Sequence, residues 1–275
     1  FVARLVTAMP PPVGLSVDGG STTNEVIRAL LRMPAEQRER VSALRTNNTC
    51  WVWDAMGKTL PPGWRLVGGW IRPESLATLG PGVADQFRAF SPAAAVVGVM
   101  GLVAEANDEG LLVFSVDTDE EAALKKMILK NAHLLSVLVF DSSKFGVGAG
   151  ETIIKLRELV HMAQDNRQRR IVLVTSHPSV HSHTGPGAPE RVEADRRRFV
   201  EHLRDLLRRL IERKGDRHVT LTLAPVSLTC AVSKAPLTLP VPGESVDNLP
   251  YAFTRPLAEM TALPEEHEVV VSIEL

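Results

Sequence analysis

Residues 16–30 read SVDGGSTTNEVIRAL. A short β-like run passes through two glycines, a serine and two threonines into a helical stripe carrying Val26, Ile27 and Leu30. A strand that hands over to a helix through small and hydroxyl residues presents free backbone N–H groups at the positive end of the helix dipole. That end is a natural cradle for an anion, above all a phosphate. The stretch predicts an α/β unit with an anion-binding turn, the helix starting near Asn24.

The pattern repeats outward from this point. Residues 13–18 (VGLSVD) and 40–45 read as strands, and 46–49 (TNNT) as a polar loop at a strand end. Residues 50–60 form a short helix or turn, and 64–80 a third strand with a glycine pair that descends into a loop. Residues 93–103 (AAAVVGVMGLV) read as one strand buried on both faces. Residues 117–132 form a helix, acidic at its start and basic at its end, and 134–140 another buried strand. Residues 151–166 read as a helix, and 170–178, 218–232 and 267–275 as strands. Strands alternating with helices predict a Rossmann-like α/β fold around a mostly parallel sheet. Ligands of such folds bind outside the carboxyl ends of the strands.

Composition sets the bounds. The 275 residues are 44% hydrophobic and 23% charged, with a formal net charge of −1. Such a surface is not that of a nucleic-acid binder. No apolar run reaches the length of a membrane span, and nothing resembles a signal peptide. Two distant cysteines, Cys50 and Cys230, make no disulfide framework. The expected compartment is the cytoplasm. The chain starts with Phe1, which points to a fragment or a processed form.

Six segments in order carry a resemblance: DGGSTT at 18–23, TNNT at 46–49, GGWIRPESLATLGPGVA at 68–84, VGVMGL at 97–102, EEAALKKMI at 120–128 and DSSKFG at 141–146. Together they resemble the C-terminal effector-sensing domain of DeoR-family transcriptional regulators. The resemblance covers residues 1–148 and leaves 149–275 as a C-terminal α/β extension, packed on the sensor or forming a second domain. It implies the fold of ribose-5-phosphate isomerase and glucosamine-6-phosphate deaminase, a phosphorylated sugar or related metabolite as effector, and a homo-oligomer. It implies contact with DNA only through an N-terminal helix-turn-helix outside this chain, with residues 1–9 (FVARLVTAM) as the linking helix. It implies no cofactor and no catalytic residue.

Carried over by position, the resemblance places Asp18, Gly20, Ser21, Thr22 and Thr23 in the phosphate cradle, with hydroxyls and backbone donors facing the anion. Thr46 and Asn47 line the next loop. Gly68 and Gly69 let backbone approach the ligand, and Arg72 pairs with an anionic group. Lys125 supplies charge from a facing helix, and Lys144 stands in the SSK loop. One position departs from the pattern: Ala93 stands where the family often has an aspartate.

Other constellations have plainer readings. His177, His181 and His183 share one Gly/Pro loop without a fourth ligand, so a polar loop is expected and not a metal site. The arginine-rich helix at 190–214 carries acids at ion-pair spacings, which predicts a salt-bridged face. Cys230 reads as a core thiol. Two rivals remain open. An isomerase or deaminase on the same fold would draw its carboxylate from Asp108, Glu109 or Glu121. A nucleotide sensor would use the extension in its pocket.

Overall fold

The computed structural model describes residues 2–104, 112–140, 144, 150–165, 169–176, 219–226 and 269–273. Helix α1 (Val2–Thr7) leads to strand β1 (Gly14–Val17), helices α2 (Ser21–Arg32) and α3 (Ala35–Glu39), and strand β2 (Ala43–Thr46). Helix α4 (Trp51–Ala55) precedes strands β3 (Gly63–Leu66), β4 (Trp70–Arg72) and β5 (Ala77–Leu79), then α5 (Pro81–Arg88). Strands β6 (Ala94–Gly98), β7 (Gly101–Ala104) and β8 (Leu112–Val116) lead into α6 (Asp119–Asn131) and β9 (Leu135–Phe140). The chain continues through β10 (Glu151–Lys155), α7 (Leu156–Asp165), β11 (Arg170–Ser176), β12 (Val219–Val226) and β13 (Val269–Ile273).

The central sheet has the order β13-β12-β11-β9-β6-β1-β2-β3. Every neighbouring pair is parallel except β12–β13, which is antiparallel. Strand order runs outward from β1 in one direction and from β6 in the other, so the switch point lies between them. In an open α/β sheet, that is where a crevice forms at the carboxyl ends.

The alternation of side chains builds a core on each face. Leu15, Val17, Ala94, Val96, Val137, Val139, Val172 and Val174 turn to the face covered by Val26, Ile27 and Leu30 of α2. Ala95, Val97, Leu138, Phe140, Ile171 and Leu173 turn to the other, against Phe87 of α5 and Ile128 and Leu129 of α6. Successive residues of a strand point to opposite faces, so two-sided cover favours the apolar runs seen in β6 and, apart from Ser136, in β9.

Several elements differ from the sequence reading. The apolar run at 93–103 is two strands: β6 ends at Gly98, and β7 belongs to a small antiparallel sheet of order β10-β8-β7. Hydrophobicity continues across the break because both sheets bury their residues, so the pattern does not mark the bend. Residues 151–155 form a strand, β10, before α7 begins at Leu156. Their β-branched Thr152, Ile153 and Ile154 suit the pairing with β8. The region read as a loop after the third strand is the hairpin β4–β5 followed by α5. Helix α2 starts at Ser21, earlier than Asn24, because Gly20 with φ 141° serves as its cap. The histidine loop, the arginine-rich helix, Cys230, Asp108 and Glu109 lie outside the described residues. Among the described residues no helix is long and apolar enough to cross a membrane.

Candidate functional site

Strand β1 ends on Val17 and delivers Asp18 and Gly19 to the switch point. The Asp18 carboxylate is 1% exposed. Its Oδ1 accepts the Gly98 N–H at 3.1 Å, which ties the end of β1 to the end of β6. Its Oδ2 is ion-paired with the Lys125 ammonium of α6, itself 7% exposed. Burial pushes the Asp18 carboxyl above the usual carboxylate range, and Lys125 and the Gly98 N–H pull against that rise.

Glu121 lies one turn before Lys125 on the same face of α6, the spacing at which helical side chains are neighbours. It is also buried, and it meets the Arg72 guanidinium of β4 at 2.6 Å. Arg72 further approaches Asp117 at 3.5 Å and Glu74 at 3.6 Å. Burial works against the Arg72 charge, but these three carboxylates outweigh it and raise its pKa. Arg72, expected to meet an anionic ligand, is therefore already matched within the protein.

A cleft opens between these groups, lined by Asp18, Gly19, Asn47, Ala77, Leu79, Glu121, Leu124 and Lys125. Asn47 follows β2 and is 2% exposed. Its Nδ2 donates to the Thr78 carbonyl at 2.9 Å, while its Oδ1 has no hydrogen-bond partner. Thr46 is buried at the end of β2, and its Oγ1 accepts the Asn48 N–H at 3.1 Å. Asn48, absent from the expected set, holds the turn: its Nδ2 donates to the Gly20 carbonyl at 2.7 Å, and its Oδ1 accepts the Cys50 N–H at 3.0 Å. The only sequence signal for it was its place in TNNT.

Helix α2 begins two residues after Gly19, which lines the cleft. No side chain caps the helix. Ser21 is exposed and Thr22 half-buried. Thr23 is fully buried, and its hydroxyl contacts the Asp18 carbonyl at 2.9 Å and the Gly20 carbonyl at 3.0 Å. The expectation that the Thr23 hydroxyl faces an anion therefore gives way to a structural role, because those carbonyls of the turn engage it.

The glycine pair also differs from expectation. A Cβ on Gly69 would lie 2.2 Å from the Leu79 carbonyl oxygen and 2.5 Å from Val83 Cγ2, so the close approach there is to protein. A Cβ on Gly68 would meet nothing within 4 Å. Lys144 is half-buried, and its neighbours in sequence lie outside the described residues. Gly19 is the tightest position of the cleft, where a Cβ would stand 2.3 Å from Ala77 Cβ. Gly19→Ala is expected to cost roughly 1–3 kcal/mol through overpacking. The double change Gly19→Ala/Ala77→Gly should recover most of that in denaturant melts. A double variant no more stable than the single one would rule out crowding against Ala77 as the cause.

Among the described residues, no group of three or more His, Cys, Asp or Glu is placed to hold a metal ion. The arrangement instead offers a helix N-terminus beside a lined cleft at a topological switch point, which suits reversible binding of a small polar molecule. A sequence model described as the DeoR C terminal sensor domain matches residues 4–166. No curated protein matches the chain.

Proposed function

Since the chain belongs to the family of DeoR C-terminal sensor domains, we propose that its ligand is a phosphorylated sugar or related metabolite, held at the β1–α2 turn. The observation that carries this reading is the start of α2, which has no side-chain cap and directly follows Asp18 and Gly19 of the cleft at the β1/β6 switch point. The phosphate lies on the backbone N–H groups of Ser21 and Thr22, where the helix dipole favours an anion. The rest of the metabolite reaches toward Asn47. Binding favours one conformation or assembly over another, and a DNA-binding head N-terminal to this domain reads the difference.

A thermal-shift screen of phosphorylated sugars and nucleotides finds the effector. The double change Ser21→Leu/Thr22→Leu is then expected to abolish its binding while the protein keeps a cooperative unfolding transition, since Ser21 is exposed and Thr22 only half-buried. Effector affinity unchanged in that variant would remove the anion site. A nucleotide as the strongest hit would favour the nucleotide-sensor alternative.

One observation supports a second reading. Asp18, Glu121 and Lys125 line one cleft, and burial raises the Asp18 carboxyl above its usual range. An isomerase or deaminase would use such a group. Turnover of sugar phosphates that is lost in Asp18→Asn would support it.

A further inference from the structure

We propose that helix α4 and the hairpin β4–β5 form the surface on which this chain pairs with a second copy of itself. Nothing in it depends on the identity of the ligand. Seven large apolar side chains are exposed among the described residues, and six of them lie on or beside these two elements. Trp53 is 68% exposed, Met56 64%, Ile71 60% and Trp70 53%, with Val52 and Leu76 somewhat less. The two elements are neighbours. Thr49 accepts the Val52 N–H at the root of α4, and it donates its own N–H and hydroxyl to the Leu76 carbonyl at 2.9 and 2.7 Å. Leu76 stands at φ 51°, a region that bulky side chains avoid. A leucine held there and left in water is disfavoured twice, unless another surface covers it.

Size and charge select the occupant. Scaled by their exposure, the six side chains offer roughly 300–550 Å² of apolar surface. That matches the largest patch of a typical monomer, which is often functional. Apolar atoms make up about 56–65% of an interface, so this is the apolar share of roughly 500–950 Å² per partner. Stable pairs bury about 800 Å² per partner. The margins carry both signs, with Lys58 beyond Met56 and Glu74 beside Leu76, both exposed. A two-fold axis lays one patch on its own copy. A margin of one sign would repel that copy, whereas a mixed one can be matched across the axis. An anionic membrane would instead call for a basic margin.

The test is sedimentation of the full chain together with acrylamide quenching of its tryptophan emission. Trp51 and Trp64 are 5% and 6% exposed, so quenching reports on Trp53 and Trp70. The wild type is expected to sediment as a dimer or an even-numbered assembly, with weak quenching. Trp53→Glu/Ile71→Glu should keep its circular dichroism melt, because both positions are exposed. It should sediment at half the wild-type mass, with a dissociation constant raised roughly a hundredfold as buried anchors are lost. An unchanged mass in that variant overturns the proposal. So does strong quenching in an assembled wild type, a measurement that needs no variant to fold. A monomeric wild type overturns it too, and weak quenching in that monomer would mean that the chain covers the surface itself.

Discussion

A chain that stops at Gly150 is expected to lose cooperative folding. The family match ends at residue 166, yet the sheet does not end there: β11 pairs in parallel with β9 over residues 170–175, and β12 extends it. All six residues of β9 are buried, as are Val113, Phe114 and Val116 of β8, which pairs with β10. Truncation strips cover from both strands at once. It removes Ile153, Ile154, Leu156, Leu159, Ile171 and Leu173 from the core cluster they share with Leu138 and Phe140. Each large aliphatic or aromatic side chain left exposed in the remnant forfeits roughly 1.5–3 kcal/mol. Exposure of only half a dozen such groups matches the whole stability of a typical domain, about 5–15 kcal/mol. The bare β9 edge would also be an unpaired apolar strand, a template for aggregation. We therefore propose that residues 151–176 are integral to the sensor's core. The remnant should be insoluble, or should melt without a sigmoidal transition in circular dichroism. A soluble remnant with a sharp transition would show that residues 1–150 are an autonomous unit.

Periodicity and punctuation explain what could be read before the structure. The parallel strands at the centre were legible because burial on both faces leaves a nearly unbroken apolar signature, as in β6 and in β9, where Ser136 alone interrupts it. Helix α6 was legible because Asp119, Glu120 and Glu121 at its start and Lys130 at its end match the dipole, with Thr118 as cap. The hairpin β4–β5 was not: three-residue strands are too short to show alternation, and β4 leaves Trp70 and Ile71 exposed. At the site, DGGSTT marked the turn, and Asn47 and Lys125 were named. Their partners were hidden for a different reason. Asp18 and Lys125 are 107 residues apart, as are Asn48 and Gly20 by 28, and pairing across such distances belongs to topology. Local pattern names the residues that reach the cleft, and the strand order decides which of them neutralise one another. That is why Lys125 and Arg72, each read as free cations for a ligand, proved to be engaged within the protein.

The ion pair leads to the second large effect. Lys125→Met should destabilise the fold by about 3–5 kcal/mol, the usual result of leaving one member of a buried pair without its partner. The Asp18 carboxylate would remain 1% exposed with the Gly98 N–H as its contact at 3.1 Å. Two further measurements separate this cause from simple loss of packing. The first is pH. In the wild type, burial already raises the Asp18 carboxyl and Lys125 opposes the rise. Without Lys125 the opposition goes, and the folded-state pKa climbs further above the unfolded value of about 3.9. The folded state then holds a proton that the unfolded chain releases, so stability falls as pH rises through the folded-state value. The deficit of Lys125→Met should therefore be larger at pH 8 than at pH 5 in urea melts. The second is the double variant Asp18→Asn/Lys125→Met, in which both charges are gone and stability should return to near the wild-type level. A pH-independent deficit, or a double variant as weak as the single, would mean that the pair is not what the residue contributes. If the double variant folds and still binds inorganic phosphate with wild-type affinity, the positive charge of α6 is structural, and the anion rests on the first turn of α2 alone.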